Sequence, residues 1–583
     1  MTPPSVRDSR RLPGVNLLYD GPGAVLDVAF ADGDGEALVA RWQDAARRLL
    51  DGLGWTTSVT RIRRFPGGAS LFLSSPIDCL YTATEINEWA WSVAIAPAGG
   101  ESEPSLEAGA AELSARLAKE ATPALLALQA AAKGHGVTFT SDHKATSVGG
   151  GAGSRVWTAD DAHHPAAPAP DTVDWPAVHD VPMVLVTGSN GKTTTVRLLA
   201  SVMKAWGRTP GLCSTDNIVI GDDVVDRGDW SGPMGARAVL RDPRVEVALL
   251  ETARGGILRR GLSVERADAA IVTNVAEDHF GEWGIFDLRG IAETKLVVGH
   301  VVPRLVINAE DPVLVETLDV ERRAGRIRAD IGCFALDPSH PVVARHMASG
   351  GTAAILDGSD LLFVYRRRAT RVVHAADVPI TLGGLARFNV ANALGVILLA
   401  SAIGVPKEAI AEGLRRFKGT PQDNPGRGHL YDFGGLKVLV DFAHNPHGMR
   451  ALIETARALP SRRRLVILGQ AGDRDDESIR GLARETWPWQ PDRIILKEMA
   501  IYLRGRQPGE ATGLLEEEFR KLGAPDSAFA HADSELEAVR AALLEAQPGD
   551  LVLLPIHAER DAVIQLMETL AARRWEPGGA LPS

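Results

Sequence analysis

From about residue 181 onward, short apolar runs alternate with stretches of helical spacing. Residues 184–186, 245–250 and 269–273 are apolar enough for strands buried on both faces. After a break at 419–428, where Gly, Pro, Asn and Asp cluster, the same pattern resumes at 437–440, 464–468, 493–496 and 550–555. Repeated strand–helix alternation predicts an α/β fold with mostly parallel sheets and helices on both faces. The first 145 residues carry a different pattern. It predicts strands at 24–30 and 70–74, and an amphipathic helix at 36–53 with Leu38, Trp42, Ala45, Leu49 and Leu50 on one face. A long helical stretch at 108–132 is interrupted near Pro123. Thr84, Glu85, Asn87 and Glu88 stand beside Trp89 and Trp91, which reads as a solvated helix face next to core aromatics.

Between these regions, residues 149–180 open on G-G-G-A-G-S and continue H-H-P-A-A-P-A-P-D, the composition of a linker. His163 and His164 lack further ligands at zinc-site spacing and read as solvated. The expected domains are therefore 1–148, a linker at 149–180, 181–420 and 421–583.

The most informative stretch follows the run at 184–186. Gly188, Ser189, Asn190, Gly191, Lys192, Thr193 and Thr194 form a glycine turn between a strand and a helical pattern that begins at Thr193. Such a turn cradles phosphates. Its N–H groups and the helix N-terminus face an anion, the lysine reaches the β/γ-phosphates, and the first threonine hydroxyl can hold Mg2+. Val186 stands where the usual pattern has its first glycine, so the loop is a variant. Glu251 closes a strand, as carboxylates that hold Mg2+ near such loops do. His279 follows another strand and could orient or bind a metal. Lys295 lies on an expected helix, either as an exposed lysine or as a carbamate.

Composition narrows the picture. A chain of 583 residues with net charge −11 is long enough for several domains, and the charge argues against a nucleic-acid partner. Three widely spaced cysteines, no apolar N-terminal stretch and no apolar run long enough for a membrane span lead us to expect a cytoplasmic protein.

The motifs G-S-N-G-K-T-T, E-T-A-R-G-G-I-L-R, V-T-N-V-A-E-D-H, N-A-E-D, R-F-N-V-A-N-A, P-G-R and D-F-A-H-N-P occur in an order that resembles the Mur ligases. S-G-P-M-G-A-R-A-V-L, G-D-R-D-D-E and R-G-R-Q-P-G-E are similar to the cyanophycin synthetase branch of that family. The resemblance covers 181 to about 560 and implies a P-loop parallel-sheet central domain, a Rossmann-like C-terminal domain and an additional N-terminal α/β domain. It implies ATP and Mg2+ as cofactors, with Lys192, Thr193 and the loop on the triphosphate, and Glu251 and His279 on the metal. By the same resemblance Lys295 is the lysine that becomes carbamylated. Asn389 and Asn392 meet the adenine, Arg427 meets the γ-phosphate, and Asp441 binds ribose with His444 nearby. Phe442 stands where the family usually has tyrosine. Asn389 and Asn392 can also be read as helix caps, and Asp441 as a strand end.

The implied activity is ATP-dependent amide formation through an acyl phosphate, with Lys192, Arg427, Lys295 and His444 in the chemistry and His444 as a candidate base. The implied substrates are an acidic peptide or polymer and an amino acid, arginine among the candidates. Arg254, Arg259 and Arg260 suit an anionic acceptor, or are surface arginines. The ATP-grasp portion of that branch has no counterpart between the N-terminal region and 181, so a separate ATP-grasp ligase is the implied partner, and a homo-oligomer is expected. Two other readings stay open: a ligase for a small folate- or muramyl-type carboxylate, and a non-catalytic nucleotide-binding partner of another synthetase.

Overall fold

The computed structural model describes residues 3–31, 33, 35–100, 102–158, 167–277 and 280–582, side chains 98 and 99 apart. Asp278, His279, His163 and His164 lie outside the described residues.

The central domain is an 11-stranded sheet. Its middle is parallel: Met183–Thr187 lies between Val247–Glu251 and Ala269–Val272, and the parallel order continues outward on both sides. An antiparallel hairpin extends each edge. Alternation explains how one strand serves two cores. Leu185 faces one apolar layer, while Val184 and Val186 face the other. On the second layer lie Lys192–Ala205 and Arg387–Ala402. The latter is apolar almost all round because it is buried between the sheet and the former.

The C-terminal domain is a 6-stranded sheet. Leu436–Asp441, Leu551–Pro555, Arg464–Leu468, Arg493–Lys497 and Phe529–Ala532 are parallel, and His429–Phe433 is an antiparallel edge. The N-terminal domain is a 4-stranded antiparallel sheet under helices Gly35–Gly52 and Leu80–Gly99. Asn87 is no surface residue. It is fully buried, accepting from Trp42 Nε1 at 2.8 Å and donating to Leu71 O at 2.8 Å.

The expected linker needs correcting at its start. Arg155–Thr158 is a strand that pairs with Ala145–Val148. The glycines before it serve close approach rather than freedom. Gly150 N donates to His179 O at 3.1 Å, Ala152 N to Val245 O at 2.8 Å, and His179 N to Gly153 O at 3.2 Å. A Cβ on Gly153 would stand 2.2 Å from His179 O, and one on Gly151, at φ +60°, would stand 2.4 Å from Val245 O. Only glycine fits this knot between the N-terminal and central domains.

Candidate active site at the domain cleft

The phosphate loop is shaped by its neighbours. Val186 still belongs to the strand, paired with Glu251 on one side and Ile271 on the other, so no glycine is needed there. The turn begins at Gly188, whose Cβ would lie 1.8 Å from Thr273 Oγ1. Gly191 has φ +84°, and its Cβ would lie 2.5 Å from Asn392 Oδ1. Asn274 clamps the loop: its carbonyl accepts from Ser189 N at 3.0 Å and its Oδ1 from Asn190 N at 2.9 Å. Ser189 Oγ donates to Ala276 O at 3.1 Å, and Lys192 Nζ to Ser189 O at 3.2 Å. The helix starts at Lys192, one residue before the expected start.

The hydroxyl and carboxylate expected on a metal stand together. Thr193 Oγ1 donates to Glu251 Oε2 at 2.8 Å, and Thr215 Oγ1 holds the other oxygen at 2.7 Å. Glu251 is 1 % exposed, so its charge is desolvated unless a cation faces it. A hydroxyl and a carboxylate oxygen are a hard-donor pair of the kind Mg2+ takes, and the residues present fit the ion. Lys295, on Leu288–Leu296, is 3 % exposed and lines the same cavity, which overturns its reading as a surface lysine.

Asn389 and Asn392 are not caps. The cap position is Ala386, and both amides are inside the helix. Asn389 Nδ2 donates to Ile380 O at 2.8 Å, and its Oδ1 accepts from Asn392 at 3.1 Å. Asn392 lies over Gly191, and Asn389 lies beside Gly428 and Asp441.

From the C-terminal domain, Asp441, His444 and Arg427 line the cavity. Burial pushes the Asp441 carboxyl up to about 6, against the pull of Arg427 and three backbone N–H groups. The Arg427 guanidinium lies 4.8 Å from the Phe442 ring, with its buried Nε unpartnered among the described residues. The Phe442 ring thus supports a cation here. His444 Nδ1 is 3.0 Å from Phe442 O, which orients its ring.

Several residues that bring the domains together carried no sequence signal. Asp216, 5 % exposed, faces Arg197 at 3.1 Å, Arg427 at 3.7 Å and Arg560. Three guanidiniums converge on this buried carboxylate, and Arg560 also meets the exposed Asp561 at 3.2 Å. Asn424, fully buried in the connection between domains, donates to Thr194 Oγ1 at 3.2 Å. Asn190 meets Asn445 and His447 of the C-terminal domain. Asn274 and Asn445 were visible as polar residues in V-T-N and D-F-A-H-N-P. Asp216, Arg197 and Arg560 were not.

The cleft encloses a cavity of about 1610 Å³ lined by all three domains. A single small-molecule site takes about 300–1,000 Å³, so this one has room for a nucleotide and further substrates. Its other wall carries Arg254, which is buried rather than superficial and pairs with Glu282, together with the exposed Arg259 and Arg260.

Fold and site define a P-loop nucleotide-binding protein in which a Rossmann-like domain closes over the phosphate loop. Residues 186–400 match the Mur ligase middle domain, and residues 426–555 match the glutamate ligase domain of Mur ligases. The chain belongs to the Mur ligase family. It is 36% identical over 401 residues to the cyanophycin synthetase of Synechocystis sp., covering 68% of this chain and 44% of that protein. It is 28% identical over 406 residues to the UDP-N-acetylmuramyl-tripeptide synthetase of Deinococcus radiodurans, covering 67% and 76%. E. coli FolC in complex with DHPP and ADP superposes with a TM-score of 0.49 at 21% identity, covering 67% and 89%. The chain spans less than half the length of the cyanophycin synthetases it matches.

Proposed function

We propose that the chain is an ATP-dependent carboxylate–amine ligase, acting on side-chain carboxylates of an acidic peptide or polymer of cyanophycin type. The observation that carries this reading is convergence. Lys192 and Thr193 of the central domain, with Glu251 directly behind Thr193, and Arg427 of the C-terminal domain meet at one cavity that has a cationic second wall. A carboxylate resists attack by an amine because its oxygen leaves poorly. The acceptor carboxylate attacks the γ-phosphorus of ATP, ADP leaves, and an acyl phosphate forms. The amine attacks that carbonyl and expels phosphate, giving the amide. Lys192 and Arg427 stabilise the transferring phosphoryl group from two sides, by position and charge. Thr193 and Glu251 would hold Mg2+, which supplies further charge neutralisation at the phosphates.

His444 lines the same cavity and is the candidate base for the amine, held by Phe442 O. On this reading Asp441 would accept from ribose hydroxyls, and Asn392, with Asn389 bonded behind it, would border the adenine. Lys295 suits carbamylation: carbon dioxide adds to Nζ and the ammonium gives up two protons in all, turning a buried cation on the cavity wall into a carbamate anion. The proposed amine donor is an amino acid, with arginine as the first candidate, and the acidic chain comes from a separate ATP-grasp ligase in the cytoplasm. Three buried thiols and no described helix long and apolar enough to cross a membrane accord with that location.

Mass spectrometry of products formed from ATP, Mg2+, all amino acids and short aspartate peptides tests the reading. A mass increase equal to an amino acid less water, together with ADP, is expected, and Lys192→Ala abolishes both. ATP binding with no ADP from any acceptor would establish a non-catalytic nucleotide-binding subunit instead.

A further inference from the structure

The second wall of the cavity is built by two domains pressed together, backbone to backbone. Strand Ser5–Leu12 of the N-terminal domain runs along the helix Arg254–Arg260. Side chains alternate along a strand, so neighbouring arginines have opposite duties. Arg10 is buried. Its Nε donates to Leu258 O at 2.8 Å and its NH1 to Asp27 at 2.5 Å, fastening the strand to the helix. Arg11 faces the cavity, with its guanidinium 3.7 Å from the Tyr81 ring. Just beyond, Gly14 N donates to Arg260 O at 3.3 Å and Leu262 N to Val15 O at 2.7 Å. A Cβ on Gly14 would stand 1.8 Å from Leu262 O, so the junction tolerates no side chain there. This contact fixes Arg11 beside the last turn of the helix, where Arg259 and Arg260 also line the cavity.

The aromatic supports are part of the arrangement. Glu120 accepts from the N–H groups of Tyr81 and Thr82 at 2.7 and 2.8 Å, which fixes the helix start that carries Tyr81. Tyr81 is nevertheless 64% exposed, because its ring stands in the cavity under Arg11. Trp283 holds an unusual φ of +50° and places its ring 5.6 Å from the Arg259 guanidinium. Stacked guanidiniums keep their N–H edges free for a planar anion.

Charge is unbalanced at this junction. Among the described residues no ion pair joins Arg11, Arg259 or Arg260 to a carboxylate. Asp8 is the acidic group nearest in the strand, and it is engaged by Arg10 at 2.7 Å. Partial desolvation, Arg11 and Arg259 hold the Arg260 guanidinium below its ordinary range. Like charges forced together across a domain boundary cost stability, and local violations of this kind belong to sites that hold a ligand.

We propose that Arg11 on Tyr81, with Arg259 and Arg260, forms a carboxylate subsite that holds the acceptor chain through a carboxylate other than the one being activated. This rests on the ligase reading above. It makes the N-terminal domain part of the active site and sets the substrate class: the acceptor carries at least two carboxylates in a chain, and a single small carboxylate is a poor substrate.

The test uses the full chain, wild type, Arg11→Ala and Arg11→Lys, with tetra-aspartate as probe. Calorimetric titration of the peptide in the presence of Mg2+ and a non-hydrolysable ATP analogue reads binding. ADP release with tetra-aspartate, and with an aspartate derivative bearing one free carboxylate, reads turnover in the presence of all amino acids. Thermal unfolding checks that each variant is folded. Arg11→Ala is expected to weaken peptide binding and raise its KM about tenfold, the loss of one charge-assisted contact. Its KM for ATP and for the single carboxylate should hold, and Arg11→Lys should recover only part of the loss. Turnover with unchanged peptide KM in Arg11→Ala overturns the subsite and leaves the ligase reading standing. Peptide binding that is lost in Arg11→Ala, without turnover in the wild type, supports the subsite and overturns the ligase reading. A wild-type chain that neither binds nor uses the peptide overturns both.

Discussion

Asn190 and Asn445 exchange amide hydrogen bonds, Nδ2 to Oδ1 at 3.2 Å in both directions, although 255 residues separate them. One stands in the phosphate loop. The other caps the helix Pro446–Arg457 of the C-terminal domain, accepting from Gly448 N at 2.8 Å. His447 Nδ1 lies 3.0 Å from the same Asn190 amide. The loop that would hold the phosphates is thus tied to the domain that would close over them. Asn190→Ala and Asn445→Ala should each lower kcat/KM for ATP about tenfold, and the double variant should fall no further than the worse single one, because one shared contact is lost. Strictly multiplicative losses would show that the two residues act independently.

The Thr193–Glu251 pair makes a separate prediction. Glu251→Gln keeps the shape and the hydrogen bond from Thr193 but removes the charge. Turnover should fall at least about 100-fold, a loss typical of removing one preorganised electrostatic partner, and the Mg2+ concentration for half-maximal activity should rise. An unshifted Mg2+ profile would remove Glu251 from the metal site.

Asp441 predicts a pH dependence. Its folded value, about 6, lies above the ordinary 3.8, so between these the folded chain keeps a proton that the unfolded chain has lost. Its contribution to stability therefore falls as pH rises through that window. In the proposed ribose-binding role, function would run the other way, because the ionised carboxylate is the form that can accept from two ribose hydroxyls. The KM for ATP should rise as pH falls below about 6, as expected for a group with that value. Asp441→Asn should raise KM and flatten this limb. A break near 6 that survives in the Asn variant assigns the titration to another group.

A buried ion pair supports the same cleft from behind. Lys497 and Glu535 are both 0% exposed. Lys497 also donates to Pro555 O at 2.5 Å, while Glu535 accepts from the N–H groups of His557 and Glu559 at 2.7 and 2.9 Å. That segment carries His557, whose Nε2 lies 3.0 Å from Ala443 O, next to His444. Lys497→Met should cost about 3–5 kcal/mol, because it leaves a carboxylate buried without its cation. Denaturant unfolding followed by tryptophan fluorescence measures this, and an unmoved midpoint would deny the pair its structural role.

What the sequence revealed follows the range of the interactions. The loop 188–194 and the strand ends at Glu251 and Asp441 were legible because glycine conformation, hydroxyl chemistry and strand periodicity act within a few residues. Lys295 was legible as a position, but its burial depends on how its helix packs. The grouping of Asp216, Arg197 and Arg560 around Arg427 left no trace, since its members come from both domains and charged residues look alike on any surface. The run G-G-G-A-G-S has the composition of a flexible linker and the structure of a close-packed knot. Glycine serves flexible chain and closest backbone approach equally well, and only the partners, His179 and Val245, decide between them.

That glycine knot has a mechanical consequence. Stitched at 149–153 and again at Gly14 and Leu262, the N-terminal and central domains form one jaw, and the C-terminal domain, joined through a single strap at 419–428, forms the other. Movement of one jaw against the other would separate Arg427 and Asp441 from Lys192, whereas Arg11, Arg259 and Arg260 all lie within the first jaw. On the proposed ligase reading, spent nucleotide would be exchanged between rounds while the acceptor stays on the arginine wall, which is the geometry that successive additions to one molecule require.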